Sequence, residues 1–192
     1  MLSMLLCTAA LAQTESEHLT FKGIPIDGSV SSFVEKMGQK GFTYLTTVDD
    51  AAAVLKGSFA GYDNCEICVF PIKQKDLVYL VGVNFPSVNN WEALSTNYYY
   101  LKNMLTTKYG DPSACTETFD AYSQPEDDQM KMLYVETDKC KYVSTYMTPK
   151  GLISVVIQHI KDVDYQDYCN VSLLYRDHIN YSKKQSQAID DL

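Results

Sequence analysis

Residues 87–112 read SVNNWEALSTNYYYLKNMLTTKYGDP, and six side chains in that run, Trp91, Leu94, Tyr98, Leu101, Leu105 and Tyr109, are spaced 3, 4, 3, 4 and 4. An α-helix gathers such a set onto one face. Asn90 suits the cap at its start, and Glu92 places a negative charge in the first turn, at the positive end of the helix dipole. Lys108 favours the last turn, Gly110 the position just beyond it, and Pro112 forbids continuation. Both ends of the helix are thus encoded locally.

Upstream, Asp27-Gly28-Ser29 leads into VSSFVEKM, where Ser29 can cap a first amphipathic helix with Val30, Phe33, Val34 and Met37 on one face; Gly38 and Gly41 bracket its end. His18 to Ile26 reads as a short strand that Pro25 confines to an edge. Phe42 to Thr47, Ala53 to Tyr62, Cys65 to Lys73 and Leu77 to Phe85 read as a strand meander, with a turn at Tyr62-Asp63-Asn64. LVYLVGVNF is apolar at nearly every position, as a central strand covered on both faces would be. Beyond the long helix, strands are expected at Ala114 to Ala121, Met130 to Glu136, Lys141 to Thr148, Leu152 to Ile160 and Asn170 to Tyr175, with SQPEDDQ, 123–129, as an exposed loop.

Links of a few residues between consecutive strands leave no room for βαβ crossovers, so the sheets are antiparallel and the class is α+β. The order, helix then strands and again helix then strands, suggests two tandem helix-plus-antiparallel-sheet units and an internal duplication. The expected boundaries are a signal peptide at 1–12, a first unit at 13–86, a second at 87–176 and a polar C-terminal tail at 177–192. MLSMLLCTAALA, 1–12, is uncharged and ends in Ala10-Leu11-Ala12, the small-residue pattern of a cleavage site, which points to an exported product, periplasmic or secreted.

The 192 residues, 46% of them hydrophobic, suffice for a core without metal or disulfide. With 24 acidic against 16 basic residues the net charge is −8, and no cluster of Lys or Arg marks a phosphate-binding face, so nucleic acid is not an expected partner. No later apolar run approaches the roughly 20 residues of a membrane span.

Taken together, FKGIPIDGSVSSFVEKMGQKGF, LKGSFAGYDNCEICVF, LKNMLTTKYGDP and SLLYRDHIN resemble a group of uncharacterised exported proteins of gut anaerobic bacteria, over about residues 18–180. The duplicated helix-and-meander plan is also similar to the β-lactamase-inhibitor-protein type of architecture. Neither resemblance brings a catalytic residue, cofactor or partner with it.

Residue chemistry narrows the functional classes. Cys65 and Cys68 form a CxxC, but within a strand residues three apart face opposite sides, so a dithiol redox pair is not expected there. Cys115 and Cys140 flank residue 127 almost symmetrically; if their strands form a hairpin they either face each other as a disulfide or remain two buried thiols. His18, His159 and His178 stand apart in sequence, without HExxH, HxxxH or GxSxG. Asp162, Asp164 and Asp167 lack the glycine and terminal glutamate of a calcium loop. No cofactor is implied. Fifteen tyrosines remain to be explained, and Tyr98-Tyr99-Tyr100 puts three in succession on the long helix. Each is rotated about 100° from the last, so Tyr98 enters the core while Tyr99 and Tyr100 either complete the packing or face a protein, peptide or glycan partner. The function expected from these features is noncatalytic binding in the bacterial envelope. The alternative is a hydrolase whose site is assembled from distant residues, with His159 or His178 as acid/base group.

Overall fold

In a computed structural model, which describes residues 16–48, 52–161 and 168–190, the long strands join into one antiparallel sheet of eight instead of two separate sheets. Residues 1–12, expected as a signal peptide, and the three aspartates of 162–167 lie outside the described residues. In chain order the elements are β1 (Thr20–Phe21), β2 (Ile24–Pro25), α1 (Val30–Gln39), β3 (Thr43–Val48), β4 (Ala52–Phe59), β5 (Tyr62–Ile72), β6 (Leu77–Asn84), α2 (Trp91–Tyr109), β7 (Ala114–Phe119), α3 (Asp128–Glu136), β8 (Cys140–Thr148), β9 (Gly151–Ile160), β10 (Tyr168–Asp177) and α4 (His178–Asp190). The sheet runs β3-β4-β5-β6-β10-β9-β8-β7. Each meander thus fans outward from its own last strand, and the two last strands, β6 and β10, pair at the centre. The molecule is a mixed α+β protein with four helices among the described residues.

The long helix forms as its spacing requires. Asn90 Oδ1 accepts the Ala93 N–H at 2.8 Å, Gly110 closes the end at φ +82°, and Trp91, Leu94, Tyr98, Leu101 and Leu105 are buried. α1 is capped by Ser29 and also from a distance, because Asp76 Oδ1 accepts the Val30 N–H at 3.1 Å. These two helices and α3 bury Phe33, Met37, Met132 and Val135, along with the face of α2, against Val69, Val81, Val83, Val155, Ile157, Val171 and Leu173 on one side of the sheet. Each such side chain contributes about 1.5–3 kcal/mol relative to exposure.

Three local expectations change and a fourth narrows. His18 to Ile26 is not one strand, because Lys22 and Gly23, at φ +53° and +79°, fold it into the tiny β1–β2 hairpin. The β4–β5 turn falls at Ala60-Gly61, at φ +52° and +85°, before the expected position. Met130 to Glu136 is helical: Asp127 Oδ1 accepts the Met130 N–H at 2.8 Å and starts α3 inside the segment read as loop and strand. The polar tail, for which a frayed helix or disorder are the two readings of the sequence, is the helix α4 over His178–Asp190.

A buried polar knot holds α4 in place. Asp177 is fully buried; its Oδ1 accepts the Asn180 N–H at 2.8 Å and lies 3.0 Å from His18 Nδ1, while its Oδ2 accepts the Leu19 N–H at 2.9 Å. Asn180, equally buried, donates from Nδ2 to Val78 O at 2.9 Å, Ile26 O at 3.1 Å and Asp27 Oδ1 at 3.0 Å. From this knot α4 turns across the end of the sheet onto the face opposite the other helices, where Tyr181 meets Arg176. Asn180→Ala strands these buried carbonyls and is expected to destabilise the fold by about 2–3 kcal/mol. Urea unfolding monitored by circular dichroism measures this; a variant that unfolds like the parent would show α4 to be dispensable.

Candidate binding surface

α2 divides its tyrosines as the 100° rotation dictates. Tyr98 is fully buried, and its hydroxyl is hydrogen-bonded to Ser144 Oγ at 2.8 Å. Tyr99 and Tyr100 remain 41% and 49% exposed, and Met104, one turn beyond Tyr100, is 43% exposed. Tyr100 and Met104, four residues apart, share one exposed stripe, and Tyr99 stands about 100° round the helix from Tyr100, on its other flank.

The two exposed tyrosines are steadied from different halves of the chain. The ring of Tyr100 stands edge-on to that of Tyr62 with centroids 6.1 Å apart, and Tyr62 donates its hydroxyl to Asn97 Oδ1 at 3.0 Å. Tyr62 is backed in turn by Phe85 at 5.0 Å. On the other flank, Tyr99 stands edge-on to Tyr98 at 5.3 Å, with Lys102 Nζ 5.9 Å from its ring centroid. The rings are therefore held in shape while their outer surfaces stay in water, which limits the side-chain entropy lost on contact.

Beside Tyr99 lies a small polar cluster. Lys102 Nζ donates to Glu117 Oε1 at 2.5 Å and to Cys115 Sγ at 3.4 Å, and Ser144 Oγ donates to the same sulfur at 3.3 Å. Burial alone would raise the Glu117 carboxyl, but the hydrogen bond and charge of Lys102 outweigh it and hold it below the usual range. Burial would likewise lower the Lys102 ammonium, yet Glu117 and Cys115 hold it above its ordinary value. Nearby, burial pushes the Tyr142 hydroxyl up to about 12 and drives that of Tyr98 higher still, so both stay neutral hydrogen-bonding groups at physiological pH.

The register of the β7–β8 hairpin corrects the disulfide expectation. Phe119 pairs with Cys140 and Cys115 with Ser144, which separates the two cysteines by four residues along the hairpin, about 13 Å. A bond needs Cα atoms within about 7 Å, so Cys115 and Cys140 are two thiols, one exposed and one partly buried. Burial pushes the Cys140 thiol up to about 12, and that of Cys68 to about 11. Cys65 lies in the core on one side of β5 and Cys68 on the other, which fits the strand reading of the CxxC.

The histidines do not converge. His159 sits opposite Cys169 near one end of β9, whereas His178 follows Asp177, which pairs with Gly151 at the other end, about 27 Å away along the strand. His159 Nδ1 lies 3.4 Å from Asp138 Oδ1, whose partner oxygen accepts from Lys161 Nζ at 2.9 Å. That pair borders a cleft of about 580 Å³ lined by Asn89, Met132, Glu136, Tyr168 and Cys169, which no sequence motif had marked. Asp138 is drawn below the usual carboxyl range by its hydrogen bond to Lys161, and its left-handed backbone at φ +59° ends α3, its N–H donating to Val135 O at 3.0 Å. Among the described residues no group of three or more His, Cys, Asp or Glu is placed to hold a metal ion, and no helix is long and apolar enough to cross a membrane.

Compared with protein-family models, with characterised proteins and with solved structures, the chain matches none.

Two outcomes follow from the geometry. Among the cysteines of the described residues, Cys115 alkylates in the native protein, whereas Cys65, Cys68 and Cys140 react only after unfolding and need no reductant. Peptide mapping by mass spectrometry checks this; a Cys115–Cys140 linked peptide would overturn the register. The Lys102–Glu117 pair is about one-fifth to one-quarter exposed, and its contribution is about 1 kcal/mol. Because folded Glu117 titrates below its ordinary 4.5, that contribution is present above pH 4.5 and disappears as pH falls through the lower folded value. Because folded Lys102 titrates above 10.5, it disappears again as pH rises through the higher one. The stability gap between parent and Glu117→Gln, measured by urea unfolding, is therefore widest between those limits and closes in acid.

Proposed function

We propose that this protein is a noncatalytic binding protein, exported to the bacterial envelope, that contacts a protein, peptide or glycan through Tyr99, Tyr100 and Met104 on the exposed side of α2. The observation that carries this reading is the exposure of three large side chains on the outer part of one helix, Tyr100 and Met104 on one stripe and Tyr99 on the other flank, with the rings of both tyrosines braced by neighbouring rings. Tyrosine in such a position offers a flat apolar body and a hydroxyl, the combination enriched where proteins meet partners and where sugars stack. We also read the two halves as products of an internal duplication. In support, each half is a helix followed by a four-stranded meander, and α3 is an insertion between the first and second strands of the later one.

The test uses immobilised mature protein against the envelope fraction of its native cell, and against a glycan array, with parent and Tyr99→Ala/Tyr100→Ala proteins in parallel. Loss of about 2 kcal/mol or more of affinity in the double variant, with its unfolding midpoint unchanged, is the expected result. A partner held equally well by both proteins would refute the assignment to α2.

A second reading has one observation in its favour, the His159–Asp138 contact beside the cleft of about 580 Å³. A hydrolase using it would lose turnover in His159→Gln. A substrate screen in which parent and variant hydrolyse nothing would dismiss it.

A further inference from the structure

The chain has a single arginine, Arg176, and it lies on the sheet face that α1, α2 and α3 leave bare. Along β10 it stands between Tyr175 and Asp177, both buried toward the helices, so alternation sends it to the other side, in line with Leu80 of β6 and Leu152 of β9. Its guanidinium carbon is 4.1 Å from the ring centroid of Tyr181 on α4, which occupies one face of the cation. Tyr181 stacks on Tyr79 at 6.2 Å, and Lys184 Nζ lies 4.2 Å from the Tyr79 centroid and donates to its hydroxyl at 2.6 Å. Two cations and two rings therefore form one assembly where α4 crosses the sheet.

That assembly borders a trough of about 340 Å³ whose floor is Leu80, Leu152 and Leu174, with Thr145 and Ser154 hydrogen-bonded to each other at 2.9 Å on its far side. Clefts of about 350 and 330 Å³ adjoin it, one sharing Tyr79 and Lys184, the other sharing Leu152, Arg176 and Tyr181. The trough falls at the lower end of the size range of small-molecule sites, roughly 300–1,000 Å³. Its charge is unusual for this molecule. In a protein of net charge −8, no acidic residue among the described residues lines any of the three clefts. Arg176 makes no hydrogen bond or ion pair with any described residue, although it is half-buried against leucine and tyrosine. A partly desolvated guanidinium gains most from an anion that matches its paired N–H groups, and a carboxylate does so with two parallel hydrogen bonds.

We propose that the trough beside α4 is a binding site for a small amphipathic carboxylate, with Arg176 holding the anion, Lys184 adding a second positive charge and Leu80, Leu152 and Leu174 receiving the apolar body. This site lies on the opposite face of the sheet from α2 and stands independently of its exposed tyrosines. A medium-chain fatty acid and the C-terminal end of a peptide with an apolar last residue present the same chemistry.

Titration calorimetry on the full chain separates these sources with matched pairs: octanoate against methyl octanoate, and acetyl-Ala-Ala-Leu with a free against an amidated C-terminus. The acid of at least one pair is expected to bind about tenfold or more tightly than its neutral analogue, and the pair with the larger ratio identifies the source. Arg176→Gln removes that ratio. Ser154→Glu, which leaves Arg176 in place but supplies an internal carboxylate, removes it as well, and circular dichroism with urea unfolding confirms that both variants are folded. Equal binding of acid and neutral analogue in both pairs overturns the proposal, as does a ratio unchanged in folded Ser154→Glu.

Discussion

The antiparallel pairing of β6 with β10 is the constraint on which everything else hangs, because among the described residues it is the only strand pairing between the first four long strands and the last four. Its two faces are fixed by different physics. Toward the helices, Val81, Val83, Val171 and Leu173 are buried and supply hydrophobic energy without direction. On the other face Ser172 Oγ donates to Asn84 Oδ1 at 2.7 Å and accepts from Gln158 Nε2 at 2.7 Å, while buried Asn170 donates to Phe85 O at 3.3 Å. A slip of one residue would send these amides into the aliphatic layer without partners, so the polar network selects the register that the apolar layer then stabilises.

With the seam in place, α2 becomes the shared beam of the molecule. Its buried stripe rests on the second half, through Tyr98 against Ser144 of β8 and Trp91 against Phe119 and Tyr142, with centroids 5.2 and 5.1 Å away. Its exposed Tyr100 leans on Tyr62 of the first half. A ring ladder continues inward from Tyr62 through Phe85, Phe59 and Phe21 to Tyr175 of β10. The high tyrosine content is thus used twice, as packing material between the halves and as contact surface where the ladder reaches water.

α2 was legible because its spacing extends over five turns and both caps are local. α3 was not, because over the seven residues MKMLYVE an alternating and a helical pattern cannot be told apart, and the deciding signal was the single cap Asp127. That error carried over to Cys115 and Cys140: an inserted helix makes the β7–β8 connection asymmetric, and the midpoint argument placed the register four residues away from the one that forms. Helix rotation alone separated Tyr98 from its two neighbours but left open whether Tyr99 and Tyr100 pack or face water, and both are exposed. The trough was not legible, because Tyr79, Arg176, Tyr181 and Lys184 come from three elements, and the polar sequence after Asp177 does not say which sheet face its helix covers. Alternation along one strand is local information; which residues meet across β6, β10 and α4 depends on a seam between distant segments.

The seam also sets a timetable. Asn84 and Ser172 are 88 residues apart, and synthesis at 5–20 residues per second takes about 4–18 s to cover that distance. During that interval β3 to β6 can already be paired as a local meander, leaving LVYLVGVN with one edge of unpaired amides and carbonyls beside apolar side chains. A strand paired on both edges in the finished protein is therefore an open, adhesive edge in the unfinished one. Yield of the native chain is governed by how soon β10 reaches that edge compared with the β6 edge of a neighbouring nascent chain.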